Sequence, residues 1–427
     1  MIEPSTPVQK YLRACQASTV LDKGNIQIQS SPAEKYIVTH HIEAALASDK
    51  GSDAKLNSWK IVDFVEKGDN FGSLITSVLV NYKLLNIECK VSYIVKIIPN
   101  QYIKEIKFYT EVLPLLNSSL KSVWQPALRI PKCIHVSSEE QIALMILEDL
   151  RPRGFKMFER KKGLDIQHTK LALAELARLH ASSIILHRNI NEILSDKFDF
   201  LKATTTVEDE MKTIFQGNVT TAIMMLDKIG GYKNVISWLK NILPTVDEIY
   251  TSSIAPAPPF EVLCHGDCWN NNLLFRYDDS GQPVEVQLVD LQASFVSSPA
   301  VDINYLLYTS LSGDVRNGNI SSFLSIYHNA FKKVLKAAET KIPFTKVELL
   351  QEFRKRNIFG LLMGMNIACS IVSEGSDLMS DADNTLEPHS FVTDWREKQL
   401  YLLEANPLVK PRFLAIFDEM VENCIID

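Results

Sequence analysis

Apolar and polar residues change rhythm along this chain, and each rhythm predicts a different element. "ITSVLVNYKL" from Ile75 and "ECKVSYIVKII" from Glu88 are rich in β-branched residues and joined by a short link, the pattern of a strand hairpin. "KEIKFYTEVLPLL" spaces its apolar residues at helical intervals and predicts a helix that ends or bends near Pro114. "QIALMIL" (Gln141 to Leu147) reads as another strand, after which the proline and glycine of "EDLRPRGF" break regular structure.

Helical spacing then takes over. "TKLALAELARLHASSIILH" predicts a long helix, and two more are expected over Thr205 to Ile229 and Asn234 to Tyr250. "APAPPF" is a stiff lead-in to "LCHGDCWNNNLLF" (Leu263 to Phe275), and "LLFRY", the turn "DDSG" and "VEVQLVDL" form a second hairpin. From Pro299 onward the pattern is again mostly helical. A strand-rich segment followed by a helix-rich one with a polar hairpin predicts an α+β protein of two unequal lobes with a cleft between them. The expected division is an N-terminal extension over 1–50, a small lobe over 51–150 and a helical lobe over 151–427.

Composition narrows the function classes. At 427 residues with 46% hydrophobic and 22% charged, the chain has the make-up of a globular enzyme rather than a disordered segment. A net charge of −6 argues against a nucleic-acid or anionic-membrane surface. The seven cysteines are scattered without framework spacing, and the first residues lack the basic-then-apolar pattern of a secretory signal. A reducing, cytoplasmic setting is expected. Asn357 to Val372 is the longest apolar stretch, shorter than the ~20 residues that span a bilayer, and reads as a buried helix.

The polar stretch "HGDCWNNN" carries the candidate chemistry. Cys264, His265, Asp267 and Cys268 are all metal-ligand types, yet a structural zinc site usually needs two spaced ligand pairs and no second pair is present. A turn rich in loop-formers explains the composition but not the spacing. Asp267 and Asn272 have the D-x4-N spacing of a kinase catalytic loop, in which the carboxylate takes the acceptor proton and the amide oxygen reaches a metal on the nucleotide phosphates. Asn270 and Asn271 fit loop capping. Asp290 ends the strand of "LVDLQ" and would complete a Mg²⁺ site from the far end of the same hairpin.

Phosphoryl transfer also needs a cation for the phosphates. Lys96 is the lone charge in the apolar strand "SYIVKIIP"; an edge-strand lysine fits the same pattern, but the following glutamate-bearing helix favours a phosphate role. Glu105 is the first choice of ion-pair partner and Glu111 the second. Gly68, Asn70 and Gly72 precede a strand and leave room for backbone N–H groups to approach phosphate, although an ordinary turn uses the same residues. Asp302, just inside the helix begun at Pro299, suits the helix dipole whatever the function and also fits bracing of the catalytic loop. His265 is read with it, as support for the loop.

These residues resemble the ecdysteroid-kinase-like proteins, relatives of choline kinases and aminoglycoside phosphotransferases. The resemblance rests on "HGDCWNNNLLF" followed by "VDLQ", and on "GDNFGS", "YIVKIIP", "EIKFYTEVLP", "LEDLRPRGF", "LARLHA" and the D-I-N-Y of Asp302 to Tyr305, in the family's order. It implies a protein-kinase-like fold binding ATP and Mg²⁺, with Asp267 as base, Asn272 and Asp290 as metal ligands, and Lys96 positioned by Glu105. It also implies a hinge beside adenine over Leu147 to Leu150, hence Glu148 and Leu150. Two departures stand out: the spacing from Lys96 to Glu105 is shorter than usual, and Leu291 replaces the phenylalanine of Asp-Phe-Gly.

The expected function is therefore ATP-dependent phosphorylation of a small-molecule hydroxyl, an ecdysteroid or similar steroid alcohol by analogy with the family. Other small alcohols, including xenobiotics, and a non-catalytic ligand-binding role are the alternatives. No nucleic-acid, membrane or protein partner is expected. No A-P-E ending follows Asp290 and no G-x-S-x-G occurs, which argues against a protein-directed kinase and a serine hydrolase.

Overall fold

Five strands build the core of the first unit. The computed structural model describes residues 32–62, 74–373 and 388–426. β1 (Lys55–Val62), β2 (Leu74–Leu84), β3 (Ile87–Pro99), β4 (Cys133–Ser138) and β5 (Ile142–Glu148) form an antiparallel sheet in the order β1-β2-β3-β5-β4. The link between β2 and β3 is two residues, Leu85 and Asn86, both in left-handed backbone (φ 48° and 69°), the twist a tight hairpin requires. Because side chains alternate across a strand, Tyr93, Val95 and Ile97 enter one core with Val78, Val80, Leu144 and Ile146, while Lys96 points to the other face. The helix Thr39–Lys50 adds Ile42, Ala45 and Leu46 to that core. The last part of the expected extension thus shares the core of the strand-rich unit.

β2, β3 and β5 match the strands expected from the pattern. β1 and β4 are additional: their burial is shallow or irregular, so period-two hydrophobicity is weak in both. Pro114 does not end its helix. Helical backbone runs over Lys104–Lys107, widens to π-type winding at Phe108–Val112 and continues over Leu113–Ser122. Pro114 falls in the first turn of that last segment, where a missing N–H leaves no bond unmade, and the wider winding just before it accommodates the ring.

The second, helical unit comprises 108–130, 154–373 and 387–427. Its long helix Ile166–Ile190 starts where Asp165 Oδ1 accepts the amides of Gln167 (2.8 Å) and His168 (3.0 Å), and stops at left-handed Asn191. The inward face carries Leu173, Leu176, Ala177 and, among them, His180. Two small sheets hang on this scaffold: β7 (Val262–Cys264) with β10 (Phe295–Ser297), and β6 (Lys156–Met157), β8 (Leu273–Tyr277) and β9 (Pro283–Leu288) in the order β6-β8-β9. The amide of Leu263 donates to Ser183 Oγ at 2.9 Å, fixing β7 to the long helix. The α+β architecture is that expected from the sequence. The apolar stretch at Asn357 is a buried helix, Asn357–Ile367. Among the described residues no helix is long and apolar enough to cross a membrane.

Arg356 ties the helix Lys346–Lys355 to the end of the helix Val246–Ile254. It is 3% exposed. Its Nε donates to Glu352 Oε1 at 2.8 Å, and its other nitrogens reach the carbonyls of Ser252, Ser253 and Ala255 at the C-terminal end of the helix Val246–Ile254. Arg356→Met leaves a buried carboxylate and three carbonyls without their donor. The expected cost is about 3–5 kcal/mol, read as a lower urea midpoint for loss of helical circular dichroism.

Candidate active site

The hairpin β8–β9 sets the geometry. Leu273 faces Leu288 in register, and one step further the Val289 amide donates to the Asn272 carbonyl at 3.0 Å. The loop entering β8 and the residue leaving β9 therefore meet at one end of the hairpin. Asp290 there adopts left-handed backbone (φ 66°), a conformation aspartate tolerates better than most residues, and Gln292 Nε2 lies 3.4 Å from its Oδ2.

Asp267 is held on both oxygens. Asn272 Nδ2 donates to Asp267 Oδ2 and to its backbone carbonyl, each at 2.8 Å. The Tyr305 hydroxyl donates to Oδ1 at 2.6 Å. Burial, and after it the charges of Asp290 and Asp302, push the Asp267 carboxyl up from 3.8 to about 6 against the two hydrogen bonds that favour its ionised form. A carboxylate with that value is suited to accept a proton near neutral pH.

Asp302 holds the loop itself. Fully buried in the helix Pro299–Ser310, it accepts the amides of His265 (2.7 Å on Oδ2) and Gly266 (2.9 Å on Oδ1), and His180 Nε2 donates to Oδ2 at 3.0 Å. Burial works to raise this carboxyl, but the hydrogen bond and charge of His180, with the Gly266 amide, hold it below the ordinary range. Gly266 is required here: its φ is +82°, and a Cβ would lie 2.2 Å from the carbonyl oxygen of Ala293.

His265 has one tautomer open to it. Its Nε2 faces the Val289 carbonyl at 3.0 Å, which can only accept, so Nδ1 is the acceptor for the Asp267 amide at 3.3 Å. Burial also keeps the ring neutral by lowering its pKa. With both nitrogens engaged, His265 is not a zinc ligand. Cys264 points to the Ser298 carbonyl, and burial drives the Cys264 and Cys268 thiols well above their ordinary values, in the protonated state a metal thiolate cannot have.

The chemistry of the remaining donors fits magnesium. Asn272 uses its Nδ2 on Asp267, which leaves Oδ1 as its ligating group, and Asp290 supplies a carboxylate. Two hard oxygen donors, with phosphate and water completing the shell, are how proteins usually hold Mg²⁺ beside a nucleotide.

In the first unit, Lys96 Nζ meets Glu105 Oε1 at 2.9 Å and Oε2 at 2.8 Å, with both side chains buried. The short spacing thus suffices for a bidentate pair. Glu111, the second choice, is exposed. Glu148 Oε1 accepts from Arg153 at 2.7 Å, and Leu150 is buried. Between them Asp149, not singled out from the sequence, takes the Arg151 guanidinium on both oxygens and the Ser92 hydroxyl on Oδ2. Gly68, Asn70 and Gly72 lie outside the described residues.

Sequence reasoning passed over Tyr305 and His180. Tyr305 is three residues after Asp302 on one helix, so a face that turns Asp302 to the loop turns Tyr305 there too. His180 is the polar break in an apolar helical stripe. Asn270, read as a loop cap, instead fastens the loop to the scaffold: its amide donates to Ser310 Oγ at 2.9 Å and its Nδ2 to the Phe158 carbonyl at 3.3 Å.

Residues 67–340 match the model of the ecdysteroid kinase-like family. A Caenorhabditis elegans protein named "Uncharacterized oxidoreductase dhs-27" is 21% identical over 244 residues, 55% of this chain and 28% of that protein, so the chain spans under a third of that relative's length. Among solved structures, a choline/ethanolamine kinase family protein from Mesorhizobium loti aligns with 13% identity and a TM-score of 0.35, covering 88% of this chain and 98% of that one. The structure of vaccinia related kinase 3 aligns with 12% identity and a TM-score of 0.28, covering 91% and 96%.

In the metal-free protein the Asp267 carboxyl should titrate near pH 6. The folded state then holds a proton the unfolded chain releases, so this contribution to stability is complete below about pH 3.8 and lost as pH rises through about 6. Tyr305→Phe removes one donor from the carboxylate and should move the midpoint higher still. Carbon-13 NMR of labelled aspartate carboxyls measures both; a midpoint below 4.5, or no upward move in Tyr305→Phe, contradicts this account.

Proposed function

The chain belongs to the ecdysteroid kinase-like family, and from that membership and the geometry around Asp267 we propose that it transfers the γ-phosphoryl group of ATP to a hydroxyl of a small molecule. An ecdysteroid or similar steroid alcohol is the acceptor the family suggests. The observation that carries this reading is the single constellation of Asp267, Asn272 and Asp290 at one end of the hairpin, with the Asp267 carboxyl poised near 6.

In this reading Asp267 orients the acceptor hydroxyl and takes its proton. Tyr305 and Asn272 fix the carboxylate so that its open lone pairs face the acceptor. Asn272 Oδ1 and Asp290 hold Mg²⁺, which when bound neutralises charge on the nucleotide phosphates. Lys96, kept extended by Glu105, binds phosphate. Leu147 to Leu150 are the residues proposed to lie beside adenine. Most of the rate gain then comes from positioning. The described cysteines are free thiols, in keeping with the cytoplasmic location proposed here.

Purified protein incubated with Mg·ATP and a panel of steroid and non-steroid alcohols should yield a product heavier by one phosphoryl group. Asp267→Asn should retain ATP binding while transfer falls by about 10²–10⁴-fold. Wild-type-like turnover by that variant contradicts the assignment of the base.

A further inference from the structure

Beside the Asp267–Tyr305 pair stands a second tyrosine with no task in the reaction so far. Tyr250 lies in the helix Val246–Ile254, four residues after Val246 and four before Ile254, so it shares their inward direction. Val246 and Ile254 are buried, whereas Tyr250 is half-buried. Burial, and after it the negative charge of Asp267, raise the Tyr250 hydroxyl above its ordinary value, and Tyr250 in turn adds to the rise at Tyr305, so the three groups are neighbours. Tyr305 spends its hydroxyl on Asp267. The Tyr250 hydroxyl makes no hydrogen bond among the described residues.

Its ring belongs to a run of aromatics that ends at the base. Tyr250 packs on Phe215 (ring centroids 4.6 Å apart, planes at 35°) and on Phe359 (6.1 Å, 36°), and Phe359 in turn meets Tyr305 (5.9 Å). Phe215 and Phe359 are buried. Arg356, three residues before Phe359, holds the C-terminal carbonyls of the helix that carries Tyr250, which fixes this run in place. A hydroxyl near a catalytic carboxylate, backed by apolar rings and unclaimed by the protein, is arranged for a ligand that brings both an oxygen and a carbon skeleton.

We propose that Tyr250 orients the acceptor: its hydroxyl donates a hydrogen bond to an acceptor oxygen while its ring, backed by Phe215 and Phe359, takes the apolar body. The acceptor class is then an alcohol with an apolar carbon skeleton rather than a cationic amino alcohol. This rests on the phosphotransferase reading only for the identity of the ligand as acceptor; binding itself is measured without nucleotide.

The test uses 2-naphthol and naphthalene as probes of the full-length protein, followed by fluorescence titration. Wild type should bind 2-naphthol more tightly than naphthalene. Tyr250→Phe should weaken 2-naphthol by about five- to tenfold, the worth of one neutral hydrogen bond, and leave naphthalene within about twofold. Tyr250→Ala should weaken both. Unaltered 2-naphthol binding in Tyr250→Phe, equal losses for both probes in that variant, or no binding of either probe to wild type would each overturn the proposal. Tyr250-dependent binding without phosphoryl transfer to any alcohol in the panel would sink the kinase reading and leave this site standing. Transfer with Tyr250-independent binding would do the reverse.

Discussion

A single buried carboxylate carries the arrangement of this site. Asp302 has no access to water, and a charge in that position is tolerable only when several donors converge on it. Two of those donors are consecutive backbone amides, of His265 and Gly266, and the third is His180 from the long helix. Binding two adjacent amides fixes the direction in which the chain leaves β7. That direction requires a positive φ at Gly266 and brings the next residue, Asp267, against Asn272 and Tyr305.

The loop carboxylate Asp267 and the helix carboxylate Asp302 that anchors the loop thus have opposite electrostatic settings. Asp302 is given enough donors to stay ionised, whereas Asp267 is given two and sits near Asp290, so its proton affinity rises. The division matches the proposed roles: a structural anion must not titrate, while a base must exchange a proton near working pH. Tyr305 belongs to the same helix as Asp302, so one element sets both the position of the loop and the proton affinity of its key residue. The His265 ring, kept neutral, bridges the Asp267 amide and the Val289 carbonyl and thereby ties the two strands' ends together.

Much of this was legible in the chain. The β2–β3 hairpin and the polar hairpin were readable from β-branched runs joined by short links, and the strand at Gln141, buried on both faces, from a continuous apolar run of strand length. The spacing of Asp267, Asn272 and Asp290 identified the residues that the hairpin brings together. The Lys96–Glu105 pair was readable from an isolated charge in an apolar strand before a helix bearing glutamates. Other features left little trace. β1 and β4 lie at the sheet edges with mixed burial, so alternation is blurred. Pro114 suggested a break because proline's cost depends on its place in the turn, and π-type winding carries no sequence signature. Tyr305 and Tyr250 are tyrosines in apolar helices, indistinguishable by pattern from core until the loop they flank has been placed.

Asp267, Asn272 and Asp290 are proposed to address one metal–nucleotide complex. Manganese in place of magnesium, added with a non-hydrolysable ATP analogue, broadens the NMR signals of nuclei close to it. In protein labelled at aspartate carboxyl carbons, the Asp267 and Asp290 signals should broaden together, and Asn272→Ala should weaken both effects. Broadening of only one of the two carboxyls, or of neither at saturating analogue, would contradict that proposal.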